Sequence, residues 1–283
     1  KLNSYEVVIA GGAMIGTAIA WFLISNRDFN GKILVVEKDP TLEFSSTSRT
    51  NNSIRQQFSN RLNIEISKFS SNYILNFKSY MENDERIPEI MFNKIGYLYL
   101  ADDIKKINLL KKNQKLQNSL NIPTKIYDQN SLLEKFPYLN VKNLIGGSYN
   151  NYNEGYFDSN TIFSWWKKKA AEKGVEFIKN EVTEIALGSK KINAITLKDG
   201  SKLKIGSFVN ATGTKASTFD KTHFLRIPVE PRKRYTFIFK TEAKINNSVP
   251  LIIDPTGIHF RSDGNYFLCG CSPKFDDTVA YDD

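Results

Sequence analysis

Glu6-Val7-Val8-Ile9-Ala10-Gly11-Gly12-Ala13-Met14-Ile15-Gly16 is the stretch that decides the fold. Its first five residues read as a buried parallel strand, a short apolar run rich in β-branched side chains. A glycine-bearing turn follows. Ile15, Ala18, Ile19, Phe22 and Leu23 then recur at helical spacing. Gly31-Lys32 breaks the chain, and Ile33-Leu34-Val35-Val36 is a second buried strand ending at Glu37. Strand, glycine turn, helix and strand make a βαβ unit of the length that binds dinucleotides.

The residue types match the chemistry. A diphosphate must approach the backbone at a helix N-terminus, where free N–H groups and the helix dipole favour anions. Gly11 permits the tight turn, and Gly16 lets the helix lie close on the strand. The middle position is Ala13, one methyl larger than the usual glycine. Glu37 follows about twenty residues later, where a carboxylate accepts hydrogen bonds from ribose hydroxyls and repels a 2′-phosphate. The loop alone does not separate FAD from NAD.

The uncharged run from Val7 to Ile24 is not read as a membrane span or signal peptide. Gly11-Gly12 interrupts it, and its period changes from strand to helix there. The net charge of +9 comes with lysine clusters at 105–115 and 167–169 and basic residues at 232–234. No nucleic-acid-binding signature accompanies them, so they read as solvated faces. With 41% hydrophobic residues the chain can fill a core, which excludes disorder as its main state. The two cysteines, Cys269 and Cys271, give neither a disulfide framework nor a four-ligand metal spacing, and read as packed thiols. The two histidines, His223 and His259, are too few for most histidine-based sites.

Further along, Ser45-Ser46-Thr47-Ser48 reads as a hydroxyl-rich run opening a helix. Apolar residues at 62, 66, 69, 73 and 77 predict one helix over 61–81, and a basic helix is expected over 105–120. A helix over 159–173 stops at Gly174. Strands follow at 175–178, 181–187, 192–197 and 203–209, with Asp199-Gly200 as a hairpin turn. Four strands over 235–271 read as an antiparallel sheet. Phe208-Val209-Asn210-Ala211-Thr212-Gly213 ends a strand in small residues that let a second backbone segment approach the dinucleotide.

Taken together, Gly11 to Gly16, Glu37, Ser45–Ser48, Ile54-Arg55-Gln56-Gln57-Phe58, Gly155-Tyr156-Phe157-Asp158, Asn210–Gly213 and Pro228-Val229-Glu230-Pro231-Arg232-Lys233-Arg234 resemble the D-amino-acid oxidase superfamily of FAD enzymes. The likeness is to the sarcosine-oxidase and dimethylglycine-dehydrogenase branch, which includes an oxidoreductase linked to mitochondrial complex I assembly. It spans nearly the whole chain in the family's order.

The resemblance implies an α/β fold: a Rossmann-type, glutathione-reductase-like FAD domain from 1–85 and 152–222, and an interleaved α+β substrate domain on a mixed sheet from 86–151 and 223–283. It implies FAD as cofactor. The diphosphate would sit on Gly11, Gly12, Ala13, Met14, Ile15 and Gly16, and the adenosine ribose at Glu37 and Lys38. Ser45, Ser46 and Thr47 would lie near the phosphates. Val182 would meet the adenine through its backbone, and Ala211, Thr212 and Gly213 would close over the dinucleotide. Arg55 would hold a substrate carboxylate or lie over the flavin ring with Gln56, and His259 would face the substrate.

The implied reaction is oxidation of a C–N bond in a small amine or N-methylated amino acid, by hydride transfer to flavin N5. The expected partners are that substrate and a protein or quinone electron acceptor, with no nucleic acid and no integral membrane segment. The strand Tyr266–Cys271 lacks the oxygen-activating lysine that sarcosine oxidases carry, so oxygen is expected to be a poor acceptor. Family members continue beyond the equivalent of Asp283, so a C-terminal part is expected to be missing from this sequence. The expected compartment is the cytoplasm, or the mitochondrial matrix in a eukaryote. The alternatives are a non-catalytic FAD-binding assembly protein and an NAD-linked dehydrogenase.

Overall fold

The computed structural model describes residues 4–188, 191–222, 227–242, 245 and 248–279. His223 lies outside them. The chain divides into two compact units: Lys1–Thr50, Ser159–Lys233 and Asp277–Asp283 form the first, and Asn51–Asp158 and Arg234–Asp276 the second.

The first unit is built on a six-stranded sheet in the order Val182–Leu187, Ile192–Leu197, Lys202–Asn210, Ser4–Ala10, Ile33–Glu37, Glu176–Lys179. Its last four strands are parallel, with Val8 level with Phe208 and Leu34, and Val35 level with Phe177. The first two are antiparallel to each other, and the second joins the third antiparallel through Asp199-Gly200, where Gly200 takes φ +86°. Helices Met14–Ile24 and Ser159–Glu172 pack on each other. Val7, Ile9, Ile33 and Val35 meet Ala20 and Ala170 in one apolar layer. Val8, Ala10, Leu34 and Val36 point the other way and join Ile195, Leu197, Leu203 and Ile205. This two-sided burial is why both central strands are continuous apolar runs. The uncharged stretch 7–24 is thus a strand, a turn and a helix. No helix among the described residues is long and apolar enough to cross a membrane.

The second unit carries a seven-stranded sheet in the order Phe237–Phe239, Tyr266–Gly270, His259–Asp263, Leu251–Ile253, Tyr97–Ala101, Gly146–Asn150, Lys125–Asp128. The four strands expected to be antiparallel are so among themselves, but Leu251–Ile253 also runs parallel to Tyr97–Ala101, which makes the sheet mixed. Leu98, Leu100, Ile252 and Phe267 bury one face with Leu132 and Phe136. A small sheet pairs Ser53–Ile54 and Phe92–Asn93 with Gly155–Phe157. Helix Ile104–Ser119 starts where Asp103 accepts from Lys106 N (2.8 Å). Helix Arg61–Leu75 starts where Asn60 accepts from Asn63 N (2.9 Å); such caps contribute about 1 kcal/mol each.

Several expectations need correction. The helix over 61–81 is two, Arg61–Leu75 and Phe77–Tyr80. Between them Asn76 leaves helical dihedrals (φ −116°, ψ 28°), its side-chain amide donating back to the Asn72 carbonyl (2.9 Å). Residues 45–48 form turns, not the start of a helix, because the Ser48 hydroxyl donates to Leu42 O (2.7 Å). Lys169 is buried rather than solvated, and Cys271 is exposed.

Candidate dinucleotide site and substrate face

The strand order reverses direction of winding at Ser4–Ala10, which lies between Ile33–Glu37 and Lys202–Asn210. Ligands of open α/β sheets bind at the carboxyl end of the strands at such a point. Gly11 stands there. Its N–H donates to Val36 O (2.9 Å), and the adjoining Ala10 carbonyl accepts from Ala211 N (2.8 Å). Gly11 takes φ +98°, and a Cβ would collide with the Ala211 carbonyl oxygen. A Cβ on Gly16 would collide with the Gly11 carbonyl. Backbone approach therefore requires glycine at both positions, and at Gly11 the dihedral requires it as well.

Asn210 shapes the second segment. Its Oδ1 accepts from Thr212 N (3.2 Å) and the Thr212 hydroxyl (2.7 Å), and its amide donates to Ala216 O (2.9 Å). Gly213 follows at φ +61°. Ala13 enters the helix extended (φ −78°, ψ −165°) and caps nothing with its side chain. The Thr47 hydroxyl accepts from Met14 N (3.2 Å), which places a hydroxyl at the helix start. Ile15 is exposed. Glu37 Oε2 accepts from Gly12 N (2.6 Å) and Oε1 from Asp39 N (2.8 Å), so the carboxylate is fixed beside the loop. Lys38 and Ser46 are exposed, and Ser45 Oγ accepts from Ser48 N (3.3 Å). Asn180 N donates to Glu37 O (3.1 Å), bringing the segment before Val182 to the same strand end. The Val182 side chain itself is buried in the core. A cradle open only to glycine, an anchored carboxylate and a helix N-terminus fit a dinucleotide.

In the second unit, registry places Gly270, His259, Ile253, Tyr99 and Ser148 in one row across the sheet. Tyr97, Arg261 and Asn150 lie two residues along their strands, hence on the same face. This face is polar, opposite the apolar one. Burial pushes the Tyr99 hydroxyl up to about 12, against the pull of Arg55, and raises Tyr97 as well, so both phenols stay protonated donors. Arg261 is buried over the Tyr156 ring (3.9 Å) and donates to Asn51 O (3.0 Å) and Asp263 (3.0 Å). His259 Nδ1 lies 3.3 Å from Gly257 O, and its ring covers Gly270, where a Cβ would come within 2.6 Å of Nε2.

Arg55 lies over the Phe58 ring (4.6 Å) in a groove of about 360 Å³ lined also by Ser53, Ile54, Ile66, Ser67 and Tyr97. Its Nε is buried without a hydrogen-bond partner. Gln56 is fully buried, with its amide directed to Ser71 Oγ, Tyr152 O and Asn153 O. Beside it stands Glu154, fully buried and unanticipated from the sequence. Its Oε1 accepts from Gln56 N (2.5 Å) and Gln57 N (2.9 Å), and Oε2 from Gln57 Nε2 (3.1 Å). Burial pushes its carboxyl up to about 7, with the hydrogen bonds from Gln57 and Gln56 opposing. The structure thus brings Arg55, Tyr97 and Tyr99 together in this unit, with His259 in the Tyr99 row. Tyr97 and Tyr99, alternating in Gly96-Tyr97-Leu98-Tyr99-Leu100, carried a readable signal: two phenols on one face of a strand.

Comparison with known proteins follows the same lines. Residues 6–283 match the DAO family model, described as FAD dependent oxidoreductase. "FAD-dependent oxidoreductase domain-containing protein 1" of Xenopus laevis is 30% identical over 303 residues, covering 95% of this chain and 60% of that protein. The Bos taurus protein of the same name is 30% identical over 302 residues, covering 95% and 62%. The chain therefore spans about 60% of the length of these relatives. Among solved structures, L-proline dehydrogenase from P. horikoshii superposes with TM-score 0.80 at 25% identity, over 100% of this chain and 74% of that one. Glycine oxidase from Geobacillus kaustophilus superposes with TM-score 0.76 at 19% identity, over 99% and 75%, a likeness of fold. The expectation of an NAD-linked dehydrogenase gives way to these findings. The chain belongs to the DAO family of FAD-dependent oxidoreductases, and its cofactor is FAD.

Proposed function

We propose that the full-length protein oxidises the C–N bond of a small amino acid, with Arg55 holding the substrate carboxylate. The observation that carries this reading is the half-buried Arg55 guanidinium, stacked on Phe58 in a groove with an unpartnered Nε. A planar cation with donors to spare is suited to a bidentate carboxylate. Tyr97 and Tyr99 supply neutral hydroxyl donors beside it, and His259 a further polar group on the same face. Glu37, the Gly11–Gly16 loop, Thr47 and the Ala211–Gly213 segment hold the dinucleotide. Gln56 acts on the site through the loop that it anchors.

FAD, when bound, supplies the two-electron acceptor. The substrate's α C–H leaves with its electron pair, the nitrogen loses a proton, and a C=N bond forms that water then hydrolyses. The residues of the second unit orient the substrate and exclude water from its carboxylate. The similar structures are a proline dehydrogenase and a glycine oxidase, which supports a small amino acid here. The absence of lysine from Tyr266–Gly270, where the face positions are Leu268 and Gly270, supports a protein or quinone acceptor over oxygen.

The test is substrate selectivity in the full-length protein. Arg55→Ala should weaken sarcosine and proline far more than matched amines lacking the carboxylate. Equal losses for both sets would remove Arg55 from the carboxylate role.

A further inference from the structure

The loop that carries Arg55 is tied down from several sides. The Ser67 hydroxyl donates to Arg55 O. Gln117, buried on helix Ile104–Ser119, donates to Phe58 O (3.0 Å), which fixes the ring beneath the guanidinium. Between those anchors the two successive N–H groups of Gln56 and Gln57 have a single acceptor, Glu154 Oε1, and Oε2 takes the Gln57 side-chain amide. Gln57 cannot turn its amide over at no cost. Its Nε2 also donates to Tyr97 O (2.8 Å), and its Oε1 accepts from Ser148 Oγ (3.0 Å). The carboxylate therefore meets donors on both oxygens.

We propose that Glu154, in its charged form, is the positioning residue of the carboxylate site, clamping the backbone immediately after Arg55 so that the guanidinium is held over Phe58. The inference rests on the reading of Arg55 given above. A proton added to Glu154 would face Gln56 N, Gln57 N and Gln57 Nε2, all donors, and would open the clamp. The carboxyl, pushed up to about 7 by burial, takes that proton close to neutrality. The other titratable or charged groups that face this network are Arg55 from the loop itself, Tyr97 and Tyr99 from strand Tyr97–Ala101, Tyr149 from strand Gly146–Asn150, and Arg261 from strand His259–Asp263. Of the tyrosines, Tyr99 and Tyr149 are pushed up to about 12 and Tyr97 is raised, so all three stay neutral through this range.

The experiment uses the full-length flavoprotein and benzoate, a carboxylate with no oxidisable C–N bond. Calorimetry gives the Kd, and hydrogen exchange follows the Gln56 and Gln57 amides. In the wild type the Kd should weaken roughly tenfold from pH 8 to pH 6, as the clamping form falls from most of the population to about a tenth. His259→Asn should retain that dependence. Glu154→Gln should flatten it, weaken binding at pH 8 roughly tenfold, and speed exchange of both amides by a similar factor, because a charged acceptor becomes neutral and an amide N–H₂ now faces Gln57 Nε2. Glu154→Asp should keep the pH dependence. If Arg55→Ala abolishes benzoate binding while Glu154→Gln binds like the wild type with the same pH slope, the clamp is refuted and the role of Arg55 stands. If Arg55→Ala binds benzoate like the wild type, the carboxylate reading fails and the positioning role falls with it, whatever the amide protection shows. A wild-type affinity flat from pH 8 to 6 overturns the proposal even if Glu154→Gln does not fold.

Discussion

Gly11 and Ala211, two hundred positions apart in sequence, meet so closely that the space for a side chain at Gly11 is taken by the Ala211 carbonyl oxygen. The contact joins the first strand's end to the strand that closes the parallel half of the sheet, where Ala211 N also bonds Ala10 O. Two distant segments are thus held in one backbone arrangement, the one proposed to cradle the dinucleotide.

Gly11→Ala places a methyl against that carbonyl and forces a β-carbon at φ +98°. A strained left-handed residue costs of order 1–3 kcal/mol before any clash is relieved. The variant should melt several degrees lower and purify with most of its flavin lost, read from the ratio of visible to protein absorbance. Wild-type flavin content and Tm would mean that the segment at Ala211 yields freely.

Glu37 is anchored by Gly12 N and Asp39 N. Glu37→Gln turns one acceptor into a donor facing a donor. FAD affinity should fall roughly tenfold to a hundredfold, since hydrogen bonds to charged groups contribute about 1.5–3 kcal/mol. Reconstitution of the apoprotein, followed by flavin fluorescence, measures it. An unchanged Kd would remove Glu37 from the cofactor site.

Arg55→Lys keeps the charge and loses the planar fork and the stacking on Phe58. The expected outcome is a rise in KM for amino acids of roughly tenfold or more, equivalent to about 1.4 kcal/mol of carboxylate binding. The visible spectrum should stay that of bound flavin. Steady-state kinetics with proline and sarcosine check this, and a loss of flavin instead would place Arg55 with the cofactor.

Glu154 also predicts a pH dependence of stability. In the unfolded chain its carboxyl titrates at its ordinary value, about 4.3. In the folded protein it is raised to about 7. Between those values the folded protein binds the proton and the unfolded chain does not, so stability from this group falls as pH rises and levels off above 7. The full span corresponds to roughly 3–4 kcal/mol. Urea unfolding at pH 5 and pH 8 should show the wild type gaining stability relative to Glu154→Gln as the pH is lowered. Parallel curves would contradict the raised carboxyl. The charged clamp, on this account, is kept at the expense of stability.

The first unit was legible because its signals are local. Alternation of strand and helix periods, Gly11 and Gly16, and Glu37 at a strand end all lie within forty residues. Asp199-Gly200 announced its hairpin by turn chemistry alone. The second unit was less so. Glu154 contacts Gln56 because Ser53–Ile54 pairs with Gly155–Phe157, a pairing that two very short strands do not advertise. The same pairing carries the chain after Thr50 into the second unit, with no break in composition to mark the crossing. The helix broke at Asn76, which leaves helical dihedrals while the apolar periodicity runs on, and the hydroxyl run at 45–48 turned back on the Leu42 carbonyl rather than capping a helix.

The most direct test of the central claim is the visible spectrum of the purified full-length protein, taken before and after anaerobic addition of proline, sarcosine, dimethylglycine or glycine. Bound flavin should bleach with at least one of them. Flavin that none of them bleaches would contradict the proposed oxidation of small amino acids, and no flavin after added FAD would contradict the cofactor site itself.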